Sequence, residues 1–346
     1  MRVGWLCLTL SSAMLATACG GGSDRDSSSS ATSVGISLGS TNTLGDGDTT
    51  DAEGGDGDPS TTNGESGPLL DIGADEGGNT AGDGGGGEGC EKVDLLFVID
   101  NSGSMADEQA SLIASFEGFV NGIQATLDSA ESYHIGVVTT DAYDANASNC
   151  RTLGALVTQT GGEGASNQDC LPFSTGKRYL DDTEPNLQDK FACIAQVGIS
   201  GSGDEIQAQS GYTAVTKIMN QQGACNEGFI RDDALLVVVI ITDEDDAPDC
   251  VPFIGCLGGS AGDPPDWAAQ FTQSKNGIQE NIVLLALVGQ SANNSCGADH
   301  CTRLIALSNW FINGSSGDIC APSYDGFFNE AISVIDTACD NFTPPE

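Results

Sequence analysis

Residues 90–346 are predicted to form a doubly wound α/β domain, a mostly parallel sheet with helices on both faces. Three observations predict it. Four short runs, Val93–Ile99, Ile135–Val138, Leu235–Ile241 and Ile282–Val288, are rich in β-branched residues and apolar at almost every position. Such runs suit strands buried on both faces of a parallel sheet. Between them lie stretches whose apolar residues recur with a helical period, and strand alternating with helix is the signature of this class.

The elements follow in chain order. Met1–Ala18 reads as an export signal: Arg2 near the start, then an interrupted apolar run from Val3 to Leu15 that is too short to span a bilayer. It ends Leu15-Ala16-Thr17-Ala18-Cys19, which resembles a bacterial lipobox. That resemblance implies cleavage before Cys19, lipidation of Cys19 and a place in the bacterial cell envelope as an outer-membrane lipoprotein, with the lipid anchor as its membrane contact. Residues 20–89 carry 21 Gly, no aromatic side chain and 14 acidic residues against one basic. Too little apolar surface is present to offset chain ordering, so this stretch is expected to be a disordered, acidic tether.

Within the folded part, Leu112, Ile113, Phe116, Phe119, Val120, Ile123 and Leu127 fall on one helical face. Leu304, Leu307 and Phe311 repeat the pattern, as do Phe328, Ile332 and Ile335. Asp263-Pro264-Pro265-Asp266 is a helix start ahead of Trp267 and Phe271. Residues 141–186 and 249–262 read as long loops at the carboxyl end of the sheet. Export makes disulfides the default for the 11 Cys from Cys90 onward, an odd number that leaves one thiol over. Cys90 with Cys339 would tie the ends of the domain. Cys150 with Cys170, Cys250 with Cys256 and Cys296 with Cys301 would close smaller loops.

Composition excludes some functions. The chain of 346 residues has 50 acidic and 11 basic side chains, a formal charge of −39. Phosphate recognition needs clustered Lys and Arg, so nucleic acid is not a partner. Two His argue against a His-rich zinc site. His134 sits away from the strand end that a hydrolase would use, which leaves Ser102 and Ser104 without an evident base.

The first strand runs into Asp100-Asn101-Ser102-Gly103-Ser104. A carboxylate and two hydroxyls at alternate positions on a tight turn can converge on one hard cation, Mg²⁺, Ca²⁺ or Mn²⁺. This Asp-x-Ser-x-Ser after an apolar strand resembles the von Willebrand factor type A domain and its metal-ion-dependent adhesion site, over roughly residues 90–340. The resemblance implies a second acidic ligand after a later central strand. Leu235–Ile241 leads into Thr242-Asp243, so Asp243 fits that place. The family's middle hydroxyl is less clear here: Ser202 is the first candidate and Thr213 its rival, with Glu205, Thr140 and Asp245 as further ligands or supports. Asp141, Asp144, Asn146 and Ser148 are weighed as a second calcium loop. The resemblance implies a non-enzymatic module that recognises an exposed Asp or Glu on a protein ligand. Alternatives are an envelope component whose metal only braces loops, and a secreted hydrolase.

Overall fold

The structure, a computed structural model, describes residues 90–126, 132–247, 249–251 and 255–345. The signal, Cys19, the tether and Leu127 lie outside these residues. In chain order the elements are β1 (Lys92–Ile99), α1 (Ala106–Thr126), β2 (Ser132–Thr139), β3 (Leu180–Asp181), α2 (Leu187–Ala195), α3 (Gln207–Ala214), α4 (Lys217–Asn220) and β4 (Leu235–Ile241). There follow β5 (Asp249–Val251), β6 (Gly255–Leu257), α5 (Pro264–Ser274), β7 (Ile282–Val288), α6 (Thr302–Trp310), β8 (Asn313–Asp318) and α7 (Asp325–Asp340).

The six-stranded sheet has the order β3-β2-β1-β4-β7-β8, parallel except for β3, while β5 and β6 form a separate hairpin. Strand order reverses between β1 and β4, and that is where a doubly wound sheet opens a crevice. Alternate residues of each strand serve opposite cores. Leu95, Phe97, Ile99, Val237, Val239 and Ile241 face α1, α2 and α7, whereas Leu96, Val98, Leu236, Val238 and Ile240 face α3, α5 and α6. Each central strand is therefore apolar throughout. Asp94 is the exception, fully buried at the amino end of β1 and held by Arg231 at 2.8 Å and Lys275 at 3.9 Å. Paired in this way, its charge is tolerable inside the protein.

The expected helices form where the periodicity puts them. Asp263 and Asp266 build a reciprocal capping box at the start of α5, with Pro in its first turn. The two edge strands were not legible. β8 reads Asn-Gly-Ser-Ser-Gly-Asp and buries little, and backbone pairing to β7 defines it. A β-carbon at Gly317 would strike the Phe327 ring, so α7 packs directly over this strand.

Four disulfides join described residues. Cys90–Cys339 ties the start of β1 to the end of α7, as expected. Two other pairings are corrected: Cys150 joins Cys225 rather than Cys170, which joins Cys193, and Cys296 joins Cys320 rather than Cys301. Among the described residues Cys301 is a free thiol. Its amide donates to Gly289 O at 3.0 Å, its thiol donates to Asp299 O at 3.4 Å, and its side chain is buried in the core cluster that holds Leu304. Closeness in sequence misled because the fold brings remoter Cys nearer. The β5–β6 register sets Cys250 opposite Cys256, whose side chains lie outside the description.

The 141–186 segment is a long loop interrupted by β3. Buried Asn146 organises it, donating to Cys150 O and Leu156 O at 3.1 and 3.0 Å and accepting from Ala147 N and Thr158 N. Its amide is thereby committed to the loop's own backbone and to Arg178, which takes Asn146 out of the ligand set weighed for a second calcium loop. Among the described residues no helix is long and apolar enough to cross a membrane. Several disulfides indicate folding in an oxidising, extracytoplasmic compartment.

Candidate functional site

The carboxyl ends of β1 and β4 adjoin, because β1 pairs with β4 through Ile99 and Ile241. Asp100 and Thr242 are the first residues past those strands, so parallel pairing sets them side by side. The Asp100 carboxylate accepts from Ser102 N at 2.7 Å and from the Thr242 hydroxyl at 2.6 Å. The first bond turns the chain sharply, and the Ser102 and Ser104 hydroxyls come to 3.4 Å of each other. Ser104 Oγ donates to Asp243 Oδ1 at 3.0 Å. Asp100, Ser102, Ser104 and Asp243 are thus linked by short contacts across the switch point.

A third strand end completes the floor. Thr140, just past β2, donates from one hydroxyl toward both Asn101 Oδ1 and Glu205 Oε2. Asn101 O accepts from Gly201 N at 2.8 Å, and a β-carbon at Gly201 would overlap the Asn101 side chain. Glycine there lets the loop before α3 lie against the end of β1 and deliver Glu205. Glu205 is buried, and its Oε1 has no hydrogen-bond partner.

Electrostatics follow from crowding acids in a dry place. Burial pushes the Asp100 carboxyl up to about 6, against the opposing effect of the Thr242 and Ser102 hydrogen bonds. Burial, reinforced by the charge of Asp100, pushes Glu205 up to about 9. Asp243 is also raised, again chiefly by burial. No Lys or Arg pairs with these three groups among the described residues. Beside them opens a cleft of about 110 Å³ whose lining includes Glu205, Glu244 and Asp299.

The other anticipated residues are placed differently. Ser202 donates its backbone N–H to Asp141 Oδ2 at 3.0 Å, while its hydroxyl accepts from Asp204 N. It lies in the right loop but makes no hydrogen bond to the Asp100 group. Thr213 sits in the last turn of α3 beside Gly154, outside the cluster. Asp245 caps α6, accepting from Arg303 N, Leu304 N and the Thr302 hydroxyl. Those donors are the free N–H groups of a helix start, so its carboxylate serves that helix.

Several supporting residues escaped the sequence reading. Gln109 on α1 donates to Asp100 O at 3.0 Å and to Gly198 O at 2.9 Å, stitching the first turn to the loop before α3. Gln207 reaches Thr242, and Asp246 caps α3 through Ala208 N at 2.7 Å while holding Ser260. A polar residue just past a buried apolar run is the available signal for Thr242. Gln109 gives none, since a Gln on a helix is ordinarily solvated.

Among the described residues no three His, Cys, Asp or Glu side chains form a group that would hold a metal ion by themselves. The donor set here mixes two carboxylates with hydroxyls, and hard oxygen donors of that kind fit Mg²⁺, Mn²⁺ or Ca²⁺. Buried acids without a basic partner, one with an orphaned oxygen, suit the same kind of ion.

No family model matches this chain, and no curated protein matches it. Among solved structures it is similar to proximal thread matrix protein 1 from the mussel byssus, at 15% identity and a TM-score of 0.34, over 72% of this chain and 46% of that one. It is also similar to the pilus adhesin SpaC from Lactobacillus rhamnosus GG, at 13% identity and a TM-score of 0.36, over 72% and 30%. A third is the human COPII-coat protein Sec24c, at 11% identity and a TM-score of 0.34, over 73% and 33%. The matched region is less than half the length of each of these chains. Nothing about ligand or partner is carried over from them.

Proposed function

We propose that residues 90–346 form a non-enzymatic recognition module whose site takes a divalent cation and, with it, an exposed Asp or Glu of a protein ligand. The observation that carries this reading is the short-contact chain Asp100–Ser102–Ser104–Asp243 at the switch point, with three buried acids and no basic partner. Asp100, Ser102, Ser104 and Asp243 would hold the ion, and Glu205 is better placed than Ser202 to support it. When bound, the cation would neutralise the carboxylates and offer positive charge to an acidic ligand. Asp100 is oriented by Ser102 N and Thr242, so its carboxylate is fixed before any ligand arrives. Screening beyond about 8 Å at physiological salt weakens the long-range repulsion between the acidic exterior and an acidic partner.

A hydrolase is less well supported. The Ser102 and Ser104 hydroxyls face carboxylates and each other, while His134 bonds Phe229 O at 2.8 Å. Lipidation at Cys19, with display on a bacterial envelope, belongs to the same proposal and rests on the lipobox and the extracytoplasmic disulfides.

Titration calorimetry of the full-length chain with Mg²⁺, Ca²⁺ and Mn²⁺ tests the site. Saturable binding is expected, lost when Asp100→Ala is combined with Asp243→Ala. Equal binding by that variant would sink the metal reading. Capture of a Glu-bearing protein ligand that persists in EDTA would leave the cation a brace only.

A further inference from the structure

An open groove of about 960 Å³ crosses the outer face of α5, near the amino ends of β7 and β8 and far along the sheet from Asp100. Ala269, Thr272 and Gln273 share its floor, at the i, i+3, i+4 spacing of one helical face. Its rims carry large apolar side chains turned to solvent: Ile218 is 73% exposed and Trp310 53%. Between these surfaces stand the exposed amides of Gln270, Gln273 and Asn276.

Charge selects the occupant. Among the described residues no Asp or Glu lines the groove, and Lys217 is its one charged side chain, in a chain that carries 50 acidic residues. The groove offers an anionic polymer a single cation, Lys217, and a second copy of the chain would bring its own excess of acid. A cationic ligand would find its complement at the carboxylate-rich strand ends instead. A lining of one indole and several amides with almost no charge suits a neutral, hydroxyl-rich molecule. Its C–H faces can lie on an indole, and its hydroxyls can both donate to and accept from side-chain amides.

We propose that this groove binds a neutral oligosaccharide strand, with Trp310 as the stacking surface and Gln270, Gln273 and Asn276 as hydrogen-bonding partners. The site is independent of the cluster around Asp100, so the domain would join two kinds of recognition at opposite ends of one sheet. Trp310 and Gln273 are exposed, and removing them leaves the cores intact.

The test uses the full-length chain with cellohexaose, maltohexaose and chitohexaose, and an oligogalacturonate as the anionic control, followed by tryptophan fluorescence and calorimetry. At least one neutral hexasaccharide is expected to bind, and the oligogalacturonate is not. Trp310→Ala should weaken binding about tenfold or more, the scale of losing one aromatic contact, and Gln273→Ala should weaken it by less. Binding should persist in EDTA and in Asp100→Ala, which separates it from the metal site. Failure of all three neutral saccharides, or binding unchanged in Trp310→Ala and Gln273→Ala, would overturn the proposal. So would sedimentation showing a concentration-dependent dimer that Trp310→Ala abolishes while no saccharide binds.

Discussion

Ser104 and Asp243, 139 residues apart in the chain, are joined by a 3.0 Å hydrogen bond from the hydroxyl to the carboxylate. The bond spans the switch point between β1 and β4, so it exists only because those strands are neighbours. Ser104 is exposed and packs against no core. Ser104→Ala is therefore expected to change unfolding free energy by no more than about 0.5 kcal/mol. If the hydroxyl is a cation donor, the same variant should bind Mg²⁺ about tenfold more weakly by calorimetry. Unchanged affinity would remove Ser104 from the donor set.

Stability without divalent cation should fall as pH rises. Asp100 and Glu205 have folded-state values of about 6 and about 9, above those of the unfolded chain. Their contribution is complete below the unfolded carboxylate range near pH 4. Asp100's share is lost as pH approaches about 6 and Glu205's by about 9, at a slope on the order of 1 kcal/mol per pH unit for each group. Thermal melts in EDTA should show Tm declining across this window. Added Mg²⁺ or Ca²⁺ should raise Tm more at about pH 8 than at about pH 5. A flat profile in EDTA would contradict the burial of these acids.

Glu205→Gln removes one of the buried carboxylates while keeping an oxygen for the Thr140 hydroxyl. At about pH 8 without metal, the variant should be more stable than the parent by about 1–3 kcal/mol, because folding no longer has to hold a carboxyl protonated far above its unfolded value. Denaturant melts in EDTA measure this. Loss of stability would mean that Glu205 already has a partner in solution.

Asp245→Ala separates capping from ligation. Its carboxylate accepts two backbone N–H groups at the start of α6. Denaturation should show a loss of about 1 kcal/mol, with cation affinity unchanged in calorimetry. A loss of affinity without a loss of stability would restore Asp245 to the metal shell.

The Cys90–Cys339 bond joins residues 249 apart in sequence and anchors the end of α7 to the start of β1. Replacing both with Ser should cost roughly 2–5 kcal/mol in denaturant melts. Cys301, buried with its thiol pushed up to about 12 by that burial, should stay unlabelled by iodoacetamide until the chain unfolds.

The parts that could be read early share one physical property: they are written in local pattern. Leu235–Ile241 is apolar at every position because both its faces are covered, and that run can be recognised without knowing its neighbours. Asp100, Ser102 and Ser104 lie within five residues, so their turn is legible too. Asp243 follows from the resemblance, which implies an acid after a later central strand, here the Leu235–Ile241 run. The edges escaped for the opposite reason. β3 and β8 take their definition from backbone pairing, which side-chain composition does not encode.

The supporting shell escaped because its partners are distant in sequence. Asn101 reaches Asp141 and Thr140, Gln109 reaches Gly198, and Asp245 reaches α6, each across a separation that no local pattern signals. The same holds for Cys150 with Cys225 and Cys296 with Cys320.

Residue order alone determined the α/β class, the buried central strands, the helix faces, the acidic character and the Asp-x-Ser-x-Ser turn, because each follows from periodicity, composition or adjacency. Only the tertiary structure decided which residues brace Asp100, which cysteines pair, and that a charge-poor groove opens over α5. Those are matters of distance between remote segments, and distance is set by how the sheet orders its strands and how the helices pack upon it.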